Sequence, residues 1–374
     1  MTTVVGANGW VRFDDYGIVA AGPDRASRPP DAFVDDLGDE VVLLPGFVDL
    51  QVNGVGAVDF ATAADEHAIA AALDDLTRHG TTACLPTIVT APLDAYDEMI
   101  DRIRRARDLP DANQRCAILG VHLEGPFLGG APGAHPKDLL RTVELDWLER
   151  LLDRHGDLVR MITLAPEADP GFAAIRMLAE RGIVVALGHS SCSYDEAIAA
   201  ADAGAQVVTH LFNGMRPMHH RDAGLAEAAL VDPRLTPTLI ADLHHVRAPS
   251  LQLALNAKER VALVSDAVAP GAGTSGGLEV VEHDGAVYLA DGTLAGSVIT
   301  LADAVRNVLS LGIDAERVSA LASGNACALL DDHSRGELTP GRRADVVAID
   351  PARGPGTPGG SVVGVWVGGV EGAR

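Results

Sequence analysis

The chain has 374 residues, 47% of them hydrophobic, which is enough for one large domain with a small appendage. Its formal net charge of -23 disfavours binding to nucleic acid or to an anionic membrane surface. No apolar run approaches the roughly 18 residues of a membrane-spanning helix, no signal peptide is visible, and the four cysteines are scattered. We therefore expect a cytoplasmic protein, without disulfides or a zinc knuckle, that binds no nucleic acid and no membrane.

Residues 1–45 read as short strands separated by turns. The strand-like runs are WVRFDD, YGIVAAG, AFVDDLG and EVVLLPG, and Asp14, Asp15 and Gly17 predict a hairpin. The same β-branched texture, interrupted by glycine, returns in GRRADVVAID and VVGVWVGG near the C-terminus. We expect residues 1–45 and 335–374 to form a small β-sandwich domain together, because the two ends of a closed barrel lie near each other.

Residues 46–334 alternate between apolar strand-like runs and helix-like segments such as AADEHAIAAALDDLTRHG. The alternation repeats every ~20 to 35 residues, the size of a βα unit. A doubly wound open sheet is the alternative fold, but no Gly-rich dinucleotide fingerprint follows the first strand. Eight strand-like runs favour an α/β fold of the (β/α)8 TIM-like barrel type: GFVDLQV, TTACLPTI, CAILGVHLE, LVRMITLAP, IVVALGH, AQVVTH, TPTLIADLHH and VALVSDA.

Polar and titratable residues stand at the ends of most of these runs, where a barrel of this type carries its chemistry. Each residue alone has an ordinary explanation, as a helix cap for Glu124 or Asp266 and as a hydrogen-bonded core histidine for His210. Together they would crowd one mouth of the barrel without partners, and a buried charge requires a pair or a metal. These residues are Asp49, Gln51, Asn53, His122, Glu124, His189, His210, Asp242, His244, His245 and Asp266.

One carboxylate and two imidazoles, from Glu124, His189 and His210, form a usual ligand set for Zn²⁺ or Fe²⁺ with one position open for water. A bound metal lowers the pKa of water toward ~7, and a carboxylate beside it can take the proton. Asp266, on the last strand, is the candidate for that carboxylate. This combination is typical of a metal-dependent hydrolase.

Six segments, in order along the chain, carry a resemblance to a known family: HLEGPF, LGHSSCSYDEA, THLFNGM, IADLHHV, VSDAVAP and LAGS. The set resembles the N-acetylglucosamine-6-phosphate deacetylase family of the amidohydrolase superfamily, over nearly the whole chain. The resemblance implies a (β/α)8 barrel with a small β-sandwich built from both termini. It also implies that Glu124, His189 and His210 are the metal ligands and that Asp266 is the catalytic acid and base.

The resemblance assigns further residues that the spacing alone does not single out. His135, in PGAHPK, would polarise the acetyl carbonyl, and Asn213 and Gly214 would contact the sugar phosphate. Arg221 and His245 would reach the active site of the neighbouring subunit in a homodimer. The implied reaction is hydrolysis of N-acetyl-D-glucosamine 6-phosphate to D-glucosamine 6-phosphate and acetate, in amino-sugar catabolism and cell-wall amino-sugar recycling.

The chain departs from the wider superfamily at the end of the first strand. Many amidohydrolases carry His-x-His there and hold a second metal, whereas this chain has Gln51 and Asn53. We therefore expect one divalent ion per subunit, with at most a second, weaker metal near Gln51. No lysine that would bridge two metals stands in the fourth strand, MITLAPE. Of the pair His244 and His245, alignment with the family pattern selects His245 for the phosphate, although a register shift of one residue would select His244.

Two other functions remain open on the sequence. A different amidohydrolase, such as an acyl-amino-acid deacylase or a dihydroorotase-like enzyme, is disfavoured by the missing His-x-His pair and the missing lysine. A non-catalytic sugar-phosphate-binding or sensing protein is disfavoured by the intact Asp266 beside intact ligands, because a binding protein has no need of a base.

Overall fold

The computed structural model describes residues 1–30, 33–110, 112–354 and 360–372. The N-terminal segment forms a four-stranded sheet in the order β3-β2-β1-β4. Along β2 the buried positions alternate with partly exposed ones, so Val11 and Phe13 face the interior while Trp10 and Arg12 do not. The strands are β1 (Thr2–Gly6), β2 (Gly9–Asp14), β3 (Gly17–Gly22) and β4 (Val34–Asp36), followed by β5 (Val42–Pro45).

Eight parallel strands then form the barrel, in the order β6, β9, β11, β12, β13, β14, β15 and β16. The last strand meets the first through the amide of Asp266, which donates to Gln51 O at 2.9 Å, and through a bridge between Val52 and Ala267. The strands of this region are β6 (Phe47–Val52), β7 (Gly54–Val55), β8 (Val58–Asp59), β9 (Thr81–Val89), β10 (Ala117–Ile118), β11 (Val121–Glu124), β12 (Val159–Leu164), β13 (Val184–Leu187), β14 (Val207–Val208), β15 (Thr236–Ile240) and β16 (Ala262–Val264).

Helices follow most of the barrel strands and pack their apolar faces against them. Their first turns are fixed by capping side chains, as where Asp65 accepts from two amides of α1 and where Ser193 and Glu196 form a capping box in α5. The helices are α1 (Glu66–Arg78), α2 (Tyr96–Arg107), α3 (Leu145–His155), α4 (Ala173–Glu180), α5 (Tyr194–Asp202), α6 (Leu225–Val231), α7 (Ala248–Ala257), α8 (Leu301–Ser310), α9 (Ala315–Ser319) and α10 (Asn325–Leu329), with a π-helical turn at Ala320–Gly324 between the last two.

A small β-rich insert, residues 274–297, follows the eighth barrel strand and was not predicted from the sequence. It has its own buried cluster, in which Val280 and Val287 pack with Val268 and Ala295. Its strands are β17 (Thr274–Ser275), β18 (Leu278–Glu279), β19 (Val281–His283), β20 (Ala286–Tyr288) and β21 (Leu294–Ser297).

The C-terminal strands β22 (Val346–Ile349), β23 (Val362–Val367) and β24 (Val370–Glu371) pair with β5 in a sheet of order β24-β23-β22-β5. This sheet shares a core with the N-terminal one, in which Phe13 meets Trp366 edge to face at 6.2 Å between ring centroids. The predicted barrel with a β-sandwich from both termini is therefore confirmed. The boundaries 1–45, 46–334 and 335–374 stay a prediction, and residues 355–359 and 373–374 lie outside the described residues.

Two apolar regions hold the barrel together. One fills its interior and includes Val48, Leu85, Met161 and Val264. The larger one lies between the strands and the surrounding helices. Because these side chains fix the strands, they also fix the residues that follow the strand ends. Among the described residues, no helix is long and apolar enough to span a bilayer.

Candidate active site

The predicted ligands converge at the carboxyl end of the barrel. Glu124 is the last residue of β11, while His189 and His210 follow β13 and β14 by two residues each. Glu124 Oε1 lies 3.1 Å from His189 Nε2 and 3.1 Å from His210 Nε2, and the two Nε2 atoms are 3.1 Å apart. Ligands of one tetrahedral ion at about 2.1 Å lie roughly 3.4 Å from one another, so this triangle has the span that a single metal requires.

The outer nitrogens of both rings settle which lone pairs face inward. His189 Nδ1 lies 3.3 Å from Ala131 O, and His210 Nδ1 lies 3.2 Å from Asn213 O. A carbonyl oxygen only accepts, so each Nδ1 carries the hydrogen and each neutral ring points the lone pair of Nε2 at the carboxylate. Three lone pairs that converge without a hydrogen between them fit a cation, and a backbone carbonyl on the outer nitrogen is the usual support of a metal-bound histidine.

The charges of Glu124, His189 and His210 also favour a cation between these three residues. Burial by itself would raise the pKa of Glu124, but the adjacent His189 and His210 hold that pKa well below its usual range. Burial would lower the pKa of His210, yet the adjacent Glu124 carboxylate raises that pKa overall. A fully buried carboxylate thus persists as an anion only with a cation beside it.

His135 lies next to the triangle, with its ring 4.4 Å from that of His189 between centroids. Glu124, His135 and His189 also form a set whose ligand atoms lie within 4.8 Å of one another. We assign the metal to the set with His210, because its three atoms are closer together and because His135 Nε2 is 4.0 Å from the other oxygen of Glu124. Burial, and then the charge of His189, lower the pKa of His135 to about 3, so it is a neutral donor.

Asp266 lines the same cavity, two residues beyond β16. Asn53 Nδ2 donates to its Oδ1 at 2.8 Å, and Gln51 Nε2 donates to the same oxygen at 3.1 Å. Burial, and then the charge of Glu124, raise the pKa of Asp266 to about 6. A carboxylate of this kind exchanges protons readily near neutral pH.

The backbone is left-handed at three of these positions. His189, His210 and Asp266 have φ values of 49°, 33° and 46°, a region that non-glycine residues seldom adopt. Such conformations cluster at functional sites, where the surrounding structure enforces them. Gly214 is also left-handed, with φ 58°, and a Cβ there would lie 2.8 Å from His189 Nδ1, so the close approach of this loop requires glycine.

These groups line a cavity of about 220 Å³. Asn213 and Gly214 lie in its wall, and Asn213 Nδ2 donates to the carbonyls of His210 and Leu211 in its own loop. None of the described residues that line it is a lysine or an arginine. The lining comprises Asn53, Val89, Glu124, Gly133, Ala134, His135, His189, His210, Asn213, Gly214, His245, Asp266, Ser275, Thr293, Leu294, Ala295 and Gly296.

The expectation that His245 reaches a neighbouring subunit's site stays a prediction. His245 lines the cavity of its own chain, because its Nδ1 is held 2.6 Å from Asp242 Oδ2. His244 is exposed instead. Both residues lie in a loop beyond the end of β15 at Ile240, so the alternation of a strand does not apply to them. Arg221 is exposed and does not line its own chain's cavity.

Several residues of the site were missed in the sequence. Thr90 is fully buried, and its Oγ1 lies 2.9 Å from His135 Nδ1. Its only sequence signal is its place just after the second strand. Ser275 and residues 293–296 come from the unpredicted insert. Asp242 stood among the strand-end residues, but only the structure shows that it orients His245.

Comparisons with known proteins agree with this geometry. The profile of the amidohydrolase family matches residues 42–371. The chain is 37% identical to an N-acetylgalactosamine-6-phosphate deacetylase of Escherichia coli O157:H7, over 91% of this chain and 92% of that protein. It is also 37% identical to an N-acetylglucosamine-6-phosphate deacetylase of Homo sapiens, over 83% and 80% of the two chains.

Solved structures extend the comparison to the fold. A mutant N-acetyl-D-glucosamine-6-phosphate deacetylase of Mycobacterium smegmatis, in complex with N-acetyl-D-glucosamine-6-phosphate, superposes with a TM-score of 0.88 at 30% identity. The match covers 100% of this chain and 99% of that one. The chain therefore belongs to the amidohydrolase family, among its N-acetylglucosamine-6-phosphate deacetylase relatives.

Proposed function

We propose that the protein is a metal-dependent deacetylase that hydrolyses N-acetyl-D-glucosamine 6-phosphate to D-glucosamine 6-phosphate and acetate, in amino-sugar catabolism. The observation that carries the proposal is the triangle of inward lone pairs from Glu124, His189 and His210 beside Asp266. A non-catalytic binding protein would have no use for a buried carboxylate in that place. The family and the relatives supply the substrate class.

Glu124, His189 and His210 would hold one divalent ion, Zn²⁺ or Fe²⁺, since imidazole and carboxylate suit both. Bound there, the ion would polarise the acetyl carbonyl and lower the pKa of water. A second, weaker ion near Gln51 has little support, because the Gln51 side chain presents its N–H, not its oxygen, to Glu124 at 2.9 Å. The remaining steps belong to side chains of the cavity.

Asp266 takes a proton from the attacking water as the oxygen bonds to the carbonyl carbon. His135 donates its Nε2–H to the carbonyl oxygen, where negative charge develops. In that tautomer Nδ1 accepts from the Thr90 hydroxyl, 2.9 Å away. Asp266 then passes the proton to the amine nitrogen as the C–N bond breaks. The immediate products are acetic acid and the free amine, and transfer of the carboxylic proton to the amine gives acetate and the ammonium form of the amino sugar phosphate, so atoms and charge balance.

The phosphate needs donors that this chain's cavity supplies only in part. His245, oriented by Asp242, and the loop at Asn213 and Gly214 line it, but no described lysine or arginine does. Arg221 is exposed on the loop that follows β14. We assign Arg221 of the partner subunit in a homodimer to complete the phosphate site, because its planar guanidinium suits phosphate.

A second substrate is favoured by one specific observation. The E. coli relative, which is 37% identical over 91% of this chain, is named for N-acetylgalactosamine 6-phosphate. That sugar differs from N-acetylglucosamine 6-phosphate only at C4, far from the acetamide. The reacting acetamide is the same in both sugars, so we expect the wall that faces C4 to decide between them.

The test of the reaction is release of acetate. N-acetylglucosamine 6-phosphate, N-acetylgalactosamine 6-phosphate and unphosphorylated N-acetylglucosamine are compared at equal concentration. We expect turnover of the first and a loss of kcat/KM of at least roughly 100-fold without the phosphate, since removing charge-assisted contacts leaves donors unpaired. Equal rates with and without phosphate would contradict the proposed substrate, and a preference for the C4 epimer would select the second candidate.

The test of the dimer mixes two inactive variants, Asp266→Asn and Arg221→Ala. In a mixed dimer, the site with native Asp266 receives Arg221 of the partner subunit and regains activity, whereas the other site has lost both residues. We expect partial recovery after subunit exchange. No recovery, with exchange verified by mass, would place Arg221 outside the partner's site.

The four cysteines are all buried and free, which supports a reducing, cytoplasmic location.

A further inference from the structure

Two side-chain amides at the end of β6 lie between the carboxylates of the cavity. Gln51 and Asn53 are two residues apart, so their side chains leave the chain on the same side. Gln51 Nε2 donates to Glu124 Oε1 at 2.9 Å and to Asp266 Oδ1 at 3.1 Å. Asn53 Nδ2 donates to the same Asp266 Oδ1 at 2.8 Å.

Chemistry fixes the orientation of both amides. If either were turned over, its oxygen would face a carboxylate oxygen, and two acceptors cannot share a hydrogen bond. In the orientation that the carboxylates require, Gln51 Oε1 and Asn53 Oδ1 are buried with no hydrogen-bond partner among the described residues. This orientation presents both N–H donors to the carboxylates.

The amides of Gln51 and Asn53 bind only one of the two carboxylate oxygens of Asp266. Oδ1 accepts from both amides, whereas the described residues place no hydrogen bond on Oδ2. The side chain cannot rotate without breaking both bonds. One oxygen is therefore fixed, and the other is left to meet water or the departing amine.

We propose that Gln51 and Asn53 are positioning residues that hold Asp266 by Oδ1 and reserve Oδ2 for proton transfer. The proposal rests on the proposed function, because it gives Asp266 the role of acid and base. It also gives the two amides a use of their own at the strand end where many amidohydrolases place a histidine pair. The N–H groups of Gln51, between Glu124 and Asp266, separate two carboxylates that would otherwise repel each other.

A double-mutant cycle tests whether Asn53 acts through Asp266. Asn53→Leu removes the donor at similar volume, and Asp266→Asn removes the base while keeping an oxygen that accepts from Asn53. In the native background we expect Asn53→Leu to lower kcat about 10- to 100-fold, the usual cost of losing an outer partner, with KM changed by less than about 3-fold. In the Asp266→Asn background the same change should lower kcat by less than about 3-fold.

Controls separate positioning from general damage. Asn325→Leu removes a comparable amide, which donates at 2.8 Å to Val261 O just before β16, at the other end of that strand from Asp266, and it should leave kcat within about 3-fold. Asn53→Asp keeps the side-chain shape and replaces the donor by an acceptor, so it should repeat the loss if Asn53→Leu does not fold. Metal content should stay at about one equivalent in each Asn53 variant.

Two results would overturn the proposal. An equal loss of kcat from Asn53→Leu in both backgrounds would mean that Asn53 does not act through Asp266. Native kcat in Asn53→Leu would mean that the bond to Oδ1 has no role. Failure of the proposed function itself looks different, because the native protein would then release no acetate from N-acetylglucosamine 6-phosphate, whatever the Asn53 variants do.

Discussion

The barrel contains a lower histidine layer, formed by His122, and an upper layer, formed by His189 and His210. The two layers differ in whether every ring nitrogen has a hydrogen-bond partner. His122, two residues before Glu124, has Nδ1 3.1 Å from Leu50 O and Nε2 2.8 Å from Thr163 Oγ1. Thr163 in turn lies 2.8 Å from Thr209 Oγ1. In this lower layer every donor meets an acceptor. In the upper layer, His189 and His210 turn lone pairs toward a third lone pair, on Glu124.

The difference shows how a structural histidine is told from a ligand. Both layers are buried, both use histidine, and both satisfy the outer nitrogen with a backbone carbonyl. Only the inner nitrogen differs. His122 finds a hydroxyl that can donate, so its layer is complete as it stands. The lone pairs of the upper layer have a partner only when a cation lies between them, and this need indicates a metal-binding function.

The largest effect is expected when the upper layer loses a ligand. His189→Ala should remove the metal and lower turnover by at least roughly 10³-fold, because carbonyl polarisation and water activation go together. Metal analysis of freshly purified protein should show about one equivalent in the native chain and much less in the variant. Two tightly bound equivalents in the native protein at full activity would contradict the single-metal site.

Asp266→Asn should leave the metal in place and remove proton transfer. We expect turnover to fall by about 10² to 10⁴-fold, the usual range for general acid–base catalysis. Binding of the sugar phosphate, measured by calorimetry on the variant, should persist, since the phosphate contacts lie elsewhere. Near-native turnover would remove Asp266 from the reaction.

The pH dependence of kcat/KM should reflect Asp266, which lies beside the upper layer, and not the lower layer. With its pKa raised to about 6, Asp266 is protonated below that pH and cannot accept a proton, so kcat/KM should fall about tenfold per unit as pH drops below 6. The lower layer adds no such limb, since burial lowers the pKa of His122 to about 4. A profile that is flat between pH 5 and 7 would contradict the role of Asp266.

The smallest effect on catalysis is expected from the lower layer. His122→Leu leaves the Thr163 hydroxyl and Leu50 O unpaired, which should lower the free energy of unfolding by about 1 to 3 kcal/mol. Turnover at a temperature where the variant is folded should stay within about 3-fold, with one equivalent of metal. Loss of the metal from this variant would show that the two layers are not independent.

His122 also has its own dependence of stability on pH. Its folded pKa lies below the value of about 6.5 in an unfolded chain, so the unfolded state binds more protons between pH ~6.5 and ~4. The stabilisation from neutral His122 is therefore present above pH ~6.5 and is lost as the pH falls toward 4. Chemical denaturation of the native chain and of His122→Leu across this window should show a smaller pH slope in the variant.

The barrel could be predicted because its strands and helices follow local patterns of apolar residues. The strand ends then placed Glu124, His189, His210 and Asp266 in one mouth. The distinction between His122 and the ligands could not be predicted, since it depends on which atoms of Leu50 and Thr163 lie opposite, and those come from other strands. The insert at residues 274–297 escaped prediction because its strands have only two to four residues each. The place of His245 at its own chain's cavity could not be predicted, because a loop directs its side chain.

The left-handed backbone at His189, His210 and Asp266 serves catalysis but lowers the stability of the fold. Each such conformation costs on the order of 1 to 3 kcal/mol in a non-glycine residue, while glycine, and to a lesser degree asparagine, adopts it with less strain. Glycine or asparagine at these positions would relax the fold of the metal-free protein while abolishing its chemistry. Selection for thermostability without substrate would therefore erode the active site first, whereas selection for acetate release would keep the strain.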